Sequence, residues 1–97
     1  MILHVILFRF KPGIDAATIQ RTGEALLAMK AGIPEVRRIT WGPNLAPGAS
    51  EWPYVLTVTV DDMAAVQRYL DHPVHVETIA NHVAPIRDGR LAIDIEL

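Results

Sequence analysis

The 97-residue sequence predicts an α+β protein of one domain over 1–97: a four-stranded antiparallel sheet with helices on one face, in the order β-α-β-β-α-β. Three observations carry that prediction. Four segments have the apolar pattern of strands, and the segments between them repeat at helical spacing. The first strand is apolar on both faces, so both of its sides need cover. The hydrophobic fraction is 51%, and the 6 glycines bring it to about 57%, against roughly 45–50% in average soluble domains. A chain this short buries only roughly 65% of its unfolded surface. The apolar surplus therefore predicts burial beyond one chain, in an oligomer or around an apolar ligand.

The first strand runs from Ile2 to Phe10. Ile2, His4, Ile6, Phe8 and Phe10 point one way, and Leu3, Val5 and Leu7 the other. Lys11-Pro12-Gly13 ends it. A helix follows, with Asp15 as its N-cap and Ala16, Ile19, Gly23, Leu26 and Met29 at helical spacing. Lys30 suits its last turn, Gly32 is expected in a left-handed cap, and Pro34 forbids continuation. Val36 to Trp41 reads as a short strand, with Ile39 and Trp41 opposite Arg38 and Thr40. A loop is expected from Gly42 to Ser50. Tyr54 to Val60 is β-branched and strand-like. Asp61-Asp62 offers the next N-cap, ahead of a stripe of Met63, Val66, Tyr69 and Leu70. Pro73 breaks that helix and starts another, capped by Asp71 or His72. His75, Ile79 and His82 then lie at i, i+4 and i+7, flanked by Val76 and Val83. Arg90 to Leu97 closes the sheet, with Leu91, Ile93, Ile95 and Leu97 alternating against Arg90, Ala92, Asp94 and Glu96.

This is the ferredoxin-like arrangement. Its helices cover one sheet face, assigned here to the side of His4, Ile6 and Phe8. Leu3, Val5 and Leu7 leave an apolar open face whose simplest cover is a second copy about a two-fold axis. The expected assembly is a homodimeric α/β barrel.

Composition excludes several roles. A net charge of −2 lacks the basic footprint of a nucleic-acid partner. No stretch approaches the roughly 18 uncharged apolar residues of a membrane helix, and the apolar start has no basic region or cleavage site of a signal peptide. With Cys 0, disulfides, thiol nucleophiles and thiolate metal sites are excluded, and a cytoplasmic protein is expected. Nucleotide and serine-hydrolase motifs are missing.

Chemistry therefore rests on histidine and tyrosine. His4 lies within an apolar strand, where a hydrogen-bonded core histidine is the plain reading. In a continuous helix Tyr69 and His75 would sit about 120° off a common face. The break at Pro73 frees both to turn toward one cavity beside His4. An imidazole near its ordinary pKa suits proton abstraction, and a phenol polarises a carbonyl. The plainer alternative makes Tyr69 a core aromatic and His75 an inward residue bonded to backbone. Ile6, Phe8, Val66, Ile79 and Val83 would line the cavity, with His82 at its edge or on the surface. His72 suits a cap. A metal on His72, His75 and Glu77 is disfavoured, because His75 and Glu77 do not share a helix face. Neither a metal nor a cofactor is expected.

Several segments carry a family resemblance. His4-Val5-Ile6-Leu7-Phe8-Arg9-Phe10-Lys11-Pro12-Gly13, Ile33-Pro34-Glu35-Val36 with Trp41-Gly42-Pro43-Asn44, Tyr69-Leu70-Asp71-His72-Pro73-Val74-His75-Val76 and Ile93-Asp94-Ile95 together resemble the stress-responsive α/β-barrel (Dabb) family. The resemblance implies a homodimer that closes a barrel. Through the family's polyketide cyclases it implies cofactor-free aldol chemistry. His75 would be the base, Tyr69 a hydrogen-bonding partner of that base or of the substrate carbonyl, and His4 the group that orients substrate or relays protons. Where relatives often read G-Y-T-H, this chain has Glu51-Trp52-Pro53-Tyr54, so the pocket wall differs. A cyclase or isomerase acting on a small apolar or aromatic ligand is the first functional reading. A non-catalytic stress-response or ligand-binding protein is the second, and an antibiotic-biosynthesis monooxygenase-like oxygenase the third.

Overall fold

Strand β1 (Ile2–Phe10) is central to a four-stranded antiparallel sheet of order β2-β3-β1-β4, with β2 at Arg38–Pro43, β3 at Tyr54–Val60 and β4 at Arg87–Glu96. The structure is a computed structural model and describes residues 1–47 and 49–97. Helix α1 (Ala16–Gly32) connects β1 to β2. Helices α2 (Met63–Asp71) and α3 (Pro73–Thr78), continued by a π turn at Ile79–Val83, connect β3 to β4. This is the ferredoxin-like order expected.

The caps follow from the sequence. Asp15 accepts a hydrogen bond from the Thr18 amide at 2.8 Å, and Asp62 accepts one from Ala65 at 2.8 Å. His72 caps α3 by accepting from the Val74 amide at 3.1 Å, with Pro73 in the first turn.

Ile2, Ile6 and Phe8 of β1 pack with Leu26, Met29, Leu56, Val58 and Tyr69 into the core between sheet and helices. The opposite sheet face is open in the single chain. There Leu3, Val5 and Leu7 register with Ile95, Ile93 and Leu91, and those three β4 residues are 47%, 42% and 44% exposed.

Several boundaries differ from expectation. Strand β2 lies two residues later, because Val36 is held in the turn after α1 by its amide bond to the Ile33 carbonyl at 3.1 Å. Gly42 and Pro43 extend this strand instead of opening the loop, and an edge strand tolerates proline. The rest of the expected loop is described except for residue 48, which lies outside the described residues. Gly32 stays helical and Ile33 is the cap; the left-handed glycine is Gly13, with φ 83°. A β-carbon on Gly32 would meet the Val74 side chain at 3.1 Å, so close helix packing is what glycine serves there. Met63, expected in the inward stripe, is 52% exposed, and Ala65 takes its place in the core. Strand β4 begins at Arg87, ahead of the expected Arg90.

Candidate functional site

A cavity opens between the helix-facing side of the sheet and α2–α3. Its wall comprises His4, Ile6, Phe8 and Leu56 from β1 and β3, Tyr69, Leu70, His75 and Ile79 from the helical segment, and Arg87 and Arg90 from β4. Strand alternation brings His4, Ile6 and Phe8 inward together. The helix break at His72–Pro73 brings the other half: the rings of Tyr69 and His75 stand 4.7 Å apart, centroid to centroid, and those of His4 and Tyr69 5.9 Å apart at 68°.

Each polar group has a defined partner. His4 is buried, and its Nδ1 lies 2.5 Å from Asp94 Oδ1, on the strand residue directly across the ladder. An Nδ1–H donated to that carboxylate leaves Nε2 as the free ring nitrogen. His75 Nδ1 lies 2.9 Å from the Leu70 carbonyl. A carbonyl oxygen only accepts, so His75 Nδ1 carries the hydrogen and, in the neutral ring, Nε2 bears the lone pair. Burial pushes the His75 pKa below its ordinary value, opposed by the bond to Leu70 and assisted by the charges of His4 and Arg90. The neutral, proton-accepting form is therefore favoured near neutrality. Burial pushes the Tyr69 phenol up, which keeps it protonated and a donor. Tyr69 is 1% exposed, has no side-chain partner among the described residues, and no buried side-chain polar atom is unpartnered. Its hydroxyl therefore opens on the cavity.

Not every expected residue reaches this wall. Ile6, Phe8 and Ile79 do. Val66 and Val83 are buried in the hydrophobic core away from it. His82 is exposed, and its carbonyl accepts a hydrogen bond from the Thr22 hydroxyl at 3.2 Å. The π turn explains the last two: its wider winding rotates Val83 inward and His82 to solvent, out of the i, i+4, i+7 stripe. Leu56, Leu70, Arg87 and Arg90 were not singled out by sequence reasoning. Leu56 and Leu70 carry no signal beyond apolarity. Arg90 faces inward by strand alternation opposite Phe8, whereas the inward turn of Arg87 depends on an irregularity in the β1–β4 pairing that no local pattern encodes.

The enclosed volume is ≈ 50 Å³, against roughly 300–1,000 Å³ for sites that enclose drug-sized ligands. It fits a small reacting group, with the remainder of a ligand in the mouth. Among the described residues, no group of three or more His, Cys, Asp or Glu is placed to hold a metal ion. No helix is long and apolar enough to cross a membrane.

A ferredoxin-like sheet with helices on one face and an open apolar row on the other has the architecture of the small α/β-barrel proteins. Within that class the chain belongs to the stress responsive A/B barrel domain (Dabb) family, whose model matches residues 2–97. Olivetolic acid cyclase of Cannabis sativa is 25% identical over 75 residues, covering 75% of this chain and 74% of that protein. A crystal structure of the Arabidopsis thaliana protein At3g17210 has the same fold, with a TM-score of 0.91 and 23% identity over 100% of this chain and 95% of that one. A dimeric ferredoxin-like protein of unknown function from Thermobifida fusca has a TM-score of 0.84 and 27% identity, covering 99% of this chain and 90% of that one.

Proposed function

We propose that this protein is a cofactor-free acid–base enzyme, a cyclase or isomerase, acting on a small enolisable carbonyl compound. His75 Nε2 takes the proton from the carbon beside the carbonyl, and the C–H electron pair moves into the enolate. Tyr69 donates its O–H to the oxygen on which charge develops. His4, held by Asp94, orients the substrate. The observation that carries this reading is the 4.7 Å pairing of Tyr69 with a His75 whose Nδ1 is bonded to the Leu70 carbonyl. The cyclase among the relatives supports the reaction class.

The working form is a homodimer, made by packing the open faces at Leu3, Val5, Leu7, Leu91, Ile93 and Ile95. The dimeric description of a structural neighbour supports it, as does the exposure of this apolar row. The whole chain acts as one domain in the cytoplasm.

The test is solvent-deuterium exchange followed by proton NMR, with a panel of small ketones and acyl thioesters. The wild-type protein is expected to accelerate α-proton exchange of at least one, and His75→Ala to abolish it. Exchange that survives in His75→Ala removes His75 as the base. The enclosed volume of ≈ 50 Å³ favours one second reading, a non-catalytic binder of a small ligand. Saturable binding without exchange in any compound supports that instead.

A further inference from the structure

We propose that Arg87 and Arg90 form a carboxylate-binding rim on this cavity, which makes the substrate class a small oxo acid. The proposal rests on the reading of His75 as base and names the substrate for that same site.

The geometry begins with the strand ladder. Residues three apart on a regular strand point to opposite faces. Arg87 and Arg90 are three apart, yet both line the cavity. The pairing of β1 with β4 explains how. Phe8 registers with Arg90 and Arg9 with Gly89, but Phe10 registers with Arg87, so Asp88 is skipped by a bulge. The extra residue returns Arg87 to the side of Arg90. Bulges re-aim side chains in this way, and they are common beside active sites.

The bulge also removes the nearest counter-charge. Asp88 pairs with Arg9 at 3.4 Å on the other side, and Arg9 lies over the Trp52 ring at 5.0 Å. Gly89 leaves room for this, since a β-carbon there would meet Arg9 Nη2 at 2.6 Å. Arg9, Arg37 and Arg68 have carboxylate partners, on Asp88, Asp61 and Glu35. Among the described residues no carboxylate lies within ion-pair distance of Arg87 or Arg90. Two arginines without a carboxylate partner thus line the cavity that holds His4, Tyr69 and His75, in a chain of net charge −2.

Guanidinium presents a planar fork of donors that matches a carboxylate. Charge selects the carboxylate over a phosphate dianion. One carboxylate neutralises one of the two arginines and leaves a positive charge to stabilise the enolate formed when His75 takes the α-proton. A dianion would consume both. The influence of Arg90 on His75 supports the proximity of rim and base. The small enclosed space then holds the enolisable carbon while the carboxylate stays at the mouth.

The probes are pyruvate, methyl pyruvate and inorganic phosphate, titrated into ¹⁵N-labelled wild-type protein, Arg90→Gln and Arg87→Gln, with thermal melts confirming folding. Arg90 is exposed, so Arg90→Gln is expected to fold even if the half-buried Arg87 position resists change. Pyruvate is expected to shift the amides around the cavity and to bind about tenfold or more tightly than its ester. Arg90→Gln should erase that preference. Equal binding of acid and ester, unchanged pyruvate affinity in Arg90→Gln, phosphate binding as tightly as pyruvate, or no saturable shift with pyruvate would each overturn the rim. Its failure is separable from failure of the base. Exchange that needs His75 but ignores Arg90 removes only the rim. Arg90-dependent pyruvate binding with exchange that survives in His75→Ala removes only the base.

Discussion

Tyr69 and His75 stand with ring centroids 4.7 Å apart, although a continuous helix would hold them about 120° off a common face. The extended backbone of His72, with φ −63° and ψ 135°, separates α2 from α3 and makes this possible. A single irregular residue, held extended ahead of the proline that follows it, brings the rings of two otherwise unrelated helix positions together.

The two roles of Tyr69 can be separated by substitution. Tyr69→Phe keeps the buried ring and removes only a hydroxyl that opens on the cavity, so stability should change by less than about 1 kcal/mol. Exchange activity should fall sharply. Tyr69→Ala removes a fully buried aromatic and should cost about 3–5 kcal/mol. Urea denaturation measures both.

Asp94 is expected to act through His4. The ring is buried and its Nδ1 finds its partner on that carboxylate at 2.5 Å. Asp94→Ala leaves a buried donor without that partner and should destabilise by about 1–3 kcal/mol. Asp94→Asn keeps an acceptor oxygen and should recover part of the loss. Equal stability of wild type and Asp94→Ala in urea would show that the pair contributes nothing to the fold.

Gly23 allows α1 to approach the sheet. A β-carbon there would lie 2.4 Å from Trp41 Nε1, and Trp41 is clamped among Phe8, Phe10 and Tyr54. Gly23→Ala should cost about 1–3 kcal/mol by overpacking, and the emission of Trp41 should shift. An unchanged denaturation midpoint and spectrum would mean that the ring yields freely.

The open sheet face predicts the effect of a charge. Ile93 is 42% exposed in the single chain, so Ile93→Lys should leave the protomer fold intact. It should convert the homodimer to a monomer, as read by light scattering. A wild-type mass of 10.7 kDa would exclude the dimer at the concentration tested.

Much of this architecture is legible in the residues. The two-sided first strand, the Asp15 and Asp62 caps and the Pro73 break all have local causes, so sequence reasoning reaches them. The meeting of His4, Tyr69 and His75 follows from strand alternation and that break. What stays hidden is non-local. The π turn that sends His82 outward and Val83 inward has no local sequence signal. The bulge opposite Arg9 and Phe10, which returns Arg87 to the cavity side beside Arg90, exists only once β1 and β4 are paired. Gly32 looks like a helix stop in sequence, but the approach of Val74 gives it a different reason.

Protonation of His75 links the site to stability. Its pKa in the folded chain lies below the ordinary 6.5, so the unfolded chain binds more protons in the range between the two values. Stability should therefore rise with pH through that range and decline as pH falls below 6.5. His75→Gln should flatten that part of the profile, measured as urea midpoints on either side of the ordinary imidazole pKa.

The most direct test of the account is an NMR titration of the His75 ring in the wild-type protein, reading ring carbons for charge and ring nitrogens for tautomer. Burial predicts a pKa below 6.5 and, with the bond to the Leu70 carbonyl, an uncharged ring at neutral pH with hydrogen on Nδ1 and a free Nε2. A ring still charged at neutral pH, or one with its hydrogen on Nε2, would contradict it.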